Sequence, residues 1–303
     1  MPRVPANGIE IEYESFGKES DPAILVVMGF AAPLNLWPVG FYEGLAARGF
    51  RVIRFDNRDI GHSTHLTGQT APTTPAMVAE LQAGRRPWVP YTLDDMAADA
   101  AAMLDALGIE RAHIAGASMG GMIAQLVAIN HPGKTKSLIS IMSTTGRRDL
   151  PPAKPDAIAA LITPPPSFGR DDLVEASIRV AKVIGSPGYP FAEAELRTRM
   201  EQMIDRAPYD GNGIARQWAA IVTAQPRNEK LRGLRVPALV LHGADDPLIL
   251  PAAAIDTAES IPGAELVIVP GMGHNCNDAL VPVYLRHIGG FVDRVEGRAQ
   301  AHA

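Results

Sequence analysis

The strongest constraint on how this chain can fold is an alternation. Short apolar runs recur along it with helix-like patterns between them. Residues 23–28 read Ala-Ile-Leu-Val-Val-Met, a continuous run of the kind expected for a strand covered on both faces. Further short apolar runs follow at residues 51–55, 112–115, 137–142, 238–241 and 266–269. Residues 9–16 differ: Ile9, Ile11 and Tyr13 alternate with Glu10, Glu12 and Glu14, which predicts a strand with one face in water. Residues 92–107 give the clearest helix, with Leu93, Met96, Ala97, Ala100, Met103, Leu104 and Leu107 at helical spacing. Thr92 and Asp95 form a candidate capping box, and Gly108 sits where a helix end favours glycine. Leu280, Val283, Tyr284, His287, Ile288, Phe291, Val292 and Val295 predict a last helix with a buried stripe. Together these patterns predict an α/β architecture, a mostly parallel central sheet with helices on both faces.

The alternation stops once. Residues 151–226 hold 10 of the 26 prolines and helix-like stretches at 171–184, 192–207 and 213–223, but no convincing strand. Strand-like runs resume at Pro237. The expected organisation is a core formed by residues 1–150 and 227–303, with residues 151–226 inserted as a helical cap (lid). A length of 303 residues fits this, since roughly 150 residues per domain allows about two units.

Composition narrows the class of protein. Hydrophobic residues at 47% and charged residues at 20% permit a large core and exclude wholesale disorder. The net charge of −5, with no long basic run, speaks against nucleic acid as the main partner. The single cysteine, Cys276, excludes an intrachain disulfide framework and any multi-cysteine metal site. The N-terminus lacks the basic start and apolar stretch of a signal peptide, and no apolar run nears the ~20 residues needed to cross a bilayer. The expectation is a soluble cytoplasmic protein with no membrane partner, monomeric or homodimeric.

The chemistry concentrates in His113-Ile-Ala-Gly-Ala-Ser-Met-Gly-Gly121. A strand leads into Gly116-x-Ser118-x-Gly120, and a helix follows from Met119 towards Asn130. Such a turn strains its central residue and pushes the Ser118 hydroxyl out at the C-terminal edge of the sheet. It also sets the Met119 amide at a helix N-terminus, where unpaired N–H groups stabilise negative charge. The bland alternative is a tight turn with Ser118 as an N-cap.

A serine hydroxyl needs a base to take its proton. Of the 8 histidines, His274 follows a strand in the glycine-rich run Pro270-Gly-Met-Gly-His274, at the sheet edge expected for Ser118. His62, His65, His131 and His242 compete, His242 reading more simply as a packed or hydrogen-bonded strand residue. His287 fits the last helix and His302 the tail. An imidazole works best when a carboxylate fixes its tautomer. Asp245 and Asp246 end another strand, and Asp246, 28 residues before His274, is favoured over its neighbour. The oxyanion formed on nucleophilic attack needs preorganised donors. Those expected are the backbone amides of Met119 and of Phe30, in the loop Met28-Gly-Phe-Ala31.

These residues together resemble the α/β-hydrolase superfamily over nearly the whole chain. The order Ser118, Asp246, His274 matches nucleophile, acid and base, with Phe30 and Met119 matching the oxyanion donors. The loop from Asp56 to Ser63 matches the family's D-x-R-x-x-G-x-S loop, read here as scaffolding held by hydrogen bonds of Asp56 and Arg58. With Val26-Val-Met-Gly-Phe-Ala31 and Gly116-Ala-Ser-Met-Gly-Gly121, that loop is similar more narrowly to the aclacinomycin methylesterase subgroup. Met28 departs from the wider family, which often has a histidine before the oxyanion glycine.

The resemblance implies a serine carboxylesterase acting on small to medium carboxylic esters through an acyl-enzyme, with no metal or organic cofactor. A lactonase or C–C bond hydrolase could use the same triad, and a ligand-binding protein could keep the fold without turnover. Trp37, Trp88, Trp218, Phe168, Phe191 and Met272 are candidate pocket walls, though residues of these types are more often plain core.

Overall fold

The computed structural model describes residues 1–298, so His302 lies outside the described residues. Eight strands form one sheet: β1 (Arg3–Ala6), β2 (Ile9–Phe16), β3 (Ala23–Val27), β4 (Arg51–Phe55), β5 (Ala112–Ala117), β6 (Thr135–Ile141), β7 (Ala238–Gly243) and β8 (Glu265–Val269). Their order across the sheet is β1-β2-β4-β3-β5-β6-β7-β8. β1 and β2 are antiparallel to their neighbours, and from β4 to β8 every pairing is parallel. Parallel neighbours need crossovers, and these are helical: α1 (Val39–Ala47), α2 (Thr74–Gln82), α3 (Leu93–Ala106) and α4 (Met119–Asn130).

The unbroken apolar runs do what a doubly covered strand requires. In β3, Leu25 and Val27 face a core that includes Leu93, Met96, Met103 and Leu104 of α3 and Ile123 of α4. Ile24 and Val26 face the opposite core, which contains Phe41, Tyr42 and Leu45 of α1 and Tyr284, Ile288 and Phe291 near the C-terminus. The helices thus divide between two faces, as period-two alternation of a parallel strand demands. Helix α3 begins at the predicted capping box, with Thr92 and Asp95 each capping the other's backbone amide.

Between β6 and β7 come α5 (Pro155–Ile162), α6 (Arg170–Ile184), α7 (Glu193–Arg206), α8 (Gly211–Val222) and α9 (Asn228–Leu231). Helices α6 and α7 share a small apolar cluster of Val174, Ile178, Leu196 and Met200, against which Leu36 packs. After β7, α10 (Pro251–Ser260) leads to β8.

Two details differ from the sequence expectations. Glu12, on the supposed solvent face of β2, is buried because Arg206 from α7 pairs with it. The last helix is not uniform: α11 (Val281–Tyr284) passes through a π turn at Leu285–Gly289 before α12 (Gly290–Val295). The wider turn rotates the stripe, leaving His287 half-buried rather than in the core.

Candidate active site

Ser118 occupies the sharp turn between β5 and α4. Its φ of 56° and ψ of −121° put a non-glycine residue in the sparsely populated left-handed half of backbone space. Close packing enforces this. A Cβ on Gly116 would strike the Gly120 carbonyl, and one on Gly120 would strike the Val27 carbonyl. The Ser118 amide donates to the Ile141 carbonyl at 3.0 Å, and the Ser118 carbonyl accepts from Ser143 Oγ at 2.8 Å. Ser118 holds the N-cap position of α4, but its hydroxyl makes no capping bond to the helix. Ser118 is half-buried and stands at the C-terminal end of β5.

Asp246 and His274 follow β7 and β8, on the same edge of the sheet. His274 Nδ1 lies 2.7 Å from Asp246 Oδ2. A carboxylate accepts, so Nδ1 donates, an arrangement that in the neutral tautomer makes Nε2 the acceptor. The other carboxylate oxygen accepts from the amides of Leu248 at 2.8 Å and Ile249 at 2.9 Å. Burial alone would raise the Asp246 carboxyl. The attraction of His274, with hydrogen bonds from His242 and His274, outweighs burial and holds it well below the usual carboxylate range. Asp245 is exposed and accepts from the Gly271 amide at 2.8 Å, tying the β7 turn to the loop that carries His274. Among the described residues there is no hydrogen bond between the Ser118 hydroxyl and the His274 ring. Such bonds are often long before substrate arrives and tighten in the loaded complex.

His242 touches the acid as well. Its Nε2 lies 2.7 Å from the Ile249 carbonyl and 3.4 Å from Asp246 Oδ2, so a strand histidine helps to fix the carboxylate. The turn after β3 passes over Ser118, with Gly29 against the Ser118 Cβ and the Ala117 carbonyl. The Phe30 amide has no hydrogen-bond partner among the described residues, while the Ala31 amide is taken. Met28 fills the space behind this turn: it is buried, and the Tyr42 hydroxyl points at its sulfur from 3.7 Å.

The Asp56–Ser63 loop serves as a hub. Asp56 accepts from the amides of Leu34 at 2.8 Å and His62 at 3.0 Å and pairs with Arg206. Arg58 forms a two-pronged pair with Asp99, both bonds 2.6 Å. Asp59, His65 and Asp210 offer ligand atoms within 4.8 Å of one another. There, however, the Arg216 guanidinium already supplies the cation, pairing with Asp59 at 2.7 Å and Asp210 at 3.3 Å.

A cleft with about 470 Å³ of space open to solvent lies beside Ala31, lined by Ile60, Met203, Ile204, Tyr209 and Ile214. Of the six wall candidates, Trp37 and Met272 are core, while Trp88 and Phe168 are exposed. Phe191 packs on the α6–α7 cluster, and Trp218 lies against the Phe30 ring with centroids 5.7 Å apart.

A family model described as the alpha/beta hydrolase fold matches residues 22–278. The chain belongs to that family. Its similarity to the methylesterase subgroup also extends over most of the chain. A rhodomycin D methylesterase from Streptomyces sp. (strain C5) is 27% identical over 282 residues, covering 86% of this chain and 87% of that protein. Solved structures share the fold. An enol-lactonase from Burkholderia xenovorans LB400 superimposes with a TM-score of 0.71 at 22% identity, over 96% of this chain and 99% of its own. A meta-cleavage product hydrolase from Pseudomonas fluorescens IP01 gives a TM-score of 0.74 at 19% identity, over 97% and 98%. No helix among the described residues is long and apolar enough to cross a membrane.

Proposed function

We propose that this chain is a serine carboxylesterase that hydrolyses small to medium carboxylic esters through an acyl-enzyme. The observation that carries this is the strained turn at Ser118, its hydroxyl uncapped at the N-terminus of α4, on the sheet edge where Asp246 clamps His274. Membership of a hydrolase family and similarity to a named methylesterase over 86% of the chain support the same conclusion.

The steps follow from the groups present. Ser118 Oγ attacks the ester carbonyl while His274 Nε2 takes its proton, and Asp246 stabilises the imidazolium. The tetrahedral oxyanion is met by the amides of Phe30 and Met119, one from the turn after β3 and one from the first turn of α4. His274 returns the proton to the leaving alcohol. Water, activated by the same ring, then releases the acid and regenerates Ser118. Neither metal nor organic cofactor takes part, and the partner is the small-molecule ester. Residues 151–226 serve as the cap and set which ester the site accepts.

The test is hydrolysis of p-nitrophenyl esters of graded chain length, alongside lactones and vinylogous diketones. The expected result is turnover of the esters and a loss of at least ~10³-fold in Ser118→Ala. Near-full activity in that variant would refute the assignment. Turnover of lactones or diketones in place of esters would redirect the substrate class without moving the triad.

A further inference from the structure

One side chain of the helical segment reaches the oxyanion turn. Gln217, on α8, is fully buried. Its Oε1 accepts from the Ala31 amide at 3.0 Å, and its Nε2 donates to the Arg58 carbonyl at 2.9 Å. A backbone amide can only donate and a carbonyl can only accept. The bridge therefore needs an acceptor and a donor on one short planar group, and glutamine supplies both. Without it, two backbone groups lose their partner.

Ala31 itself sits at φ 54°, a conformation that a residue bearing a Cβ rarely adopts. This bend follows directly after Phe30. The Ala31 amide is spent on Gln217, and the Phe30 amide is left without a partner among the described residues. The residues flanking Gln217 grip neighbouring elements. Arg216 pairs with Asp59 beyond β4, and Trp218 donates from Nε1 to Thr74 Oγ1 of α2 at 3.0 Å while its ring lies on Phe30.

We propose that Gln217 is a positioning residue: it holds Ala31 in its bent conformation so that the Phe30 amide points at the developing oxyanion. This rests on the assignment of Phe30 and Met119 as oxyanion donors. Donors work because they are fixed before charge develops, and a displacement of about 1 Å can cost up to ~10²-fold in rate. Docking of α8 and completion of the oxyanion hole are then one event.

The experiment uses the full chain. Gln217→Met keeps the length of the side chain but makes neither bond. Gln217→Glu, kept as the neutral carboxyl by this buried site, supplies both the acceptor for the Ala31 amide and a donor for the Arg58 carbonyl. Ala31→Gly added to Gln217→Met lets the bend persist without steric cost. The readouts are kcat and KM on p-nitrophenyl butyrate per active site titrated with a fluorophosphonate, together with the rate of that labelling. For Gln217→Met, kcat is expected to fall about 10–100-fold with KM within about threefold, and labelling to slow in parallel. Gln217→Glu is expected to stay within about threefold of the parent kcat, and the added glycine to recover at least about threefold of the loss. If Gln217→Met fails to fold, Gln217→Glu decides: folded enzyme with kcat lost more than about tenfold overturns the proposal. So does unchanged kcat per site in Gln217→Met. Activity that survives Ser118→Ala would overturn the site assignment and this proposal with it, whereas Ser118-dependent activity indifferent to Gln217→Met overturns this proposal alone.

Discussion

Two adjacent carboxylates after β7 have divided tasks. Asp246 is buried on His274, and Asp245 is exposed on the Gly271 amide. Asp246→Asn is therefore expected to lower kcat by about 10³–10⁴-fold, because an amide offers His274 no fixed charge and admits the wrong tautomer. Asp245→Asn is expected to stay within about tenfold of the parent, since it loosens a loop without touching the imidazole. Steady-state kinetics on one ester with both variants checks the pair. A second residue-scale effect concerns stability. His113, buried in β5 with Nδ1 2.8 Å from Ser137 Oγ, is pushed by burial, against the pull of Glu296, from the ordinary 6.5 down to about 4. As pH falls through that interval the unfolded chain binds a proton that the native state refuses, so the His113 contribution to native stability is lost between pH 6.5 and pH 4 and changes little below. His113→Asn should flatten that part of the Tm–pH curve, a result that thermal unfolding across the range would reveal.

At the scale of elements, buried ion pairs tie the helices between β6 and β7 to the sheet. Arg206, at the end of α7, faces both Glu12 of β2 and Asp56 just beyond β4, two buried carboxylates. Arg206→Met strands both charges, and removing one partner of a buried pair costs about 3–5 kcal/mol, measurable by urea unfolding. Arg170→Met, which breaks the exposed pair with Asp205, should leave the urea midpoint nearly unchanged, because water already screens that pair. The contrast also marks what the sequence could reveal. Strand runs and the cap on α3 were legible because they repeat within a few residues. So was the elbow, since glycines at Gly116 and Gly120 answer a local clash. Arg206 with Glu12, and Gln217 with Ala31, were not legible. Their partners lie 194 and 186 residues away, and neither helix carries a local signal of what it will meet. The π turn escaped for a related reason: apolar spacing survives a turn one residue wider while the face it presents rotates.

Across the whole molecule, the residues proposed as nucleophile, acid and base follow three strands of the parallel part of one sheet, each placed by different surroundings. Sheet and elbow glycines set Ser118. Asp246 is set by its own turn and by His242. The loop of His274 is held from the helical side: its amide donates to the Ile184 carbonyl at 2.7 Å, and the Gly273 amide donates to Ser186 Oγ at 2.8 Å. Replacing residues 151–226 by a short linker would therefore remove the cations facing Asp56, Asp59 and Glu12 along with those supports. The trimmed chain is expected to lose its cooperative thermal transition and to bind a hydrophobic dye, both read directly on the purified protein. The tether at Ile184 also implies a sequence of failure under slow warming. Detachment of the outer layer would set the imidazole adrift while the strands beneath stayed paired, so turnover would vanish several degrees before the far-ultraviolet ellipticity changed, and prompt cooling would bring it back.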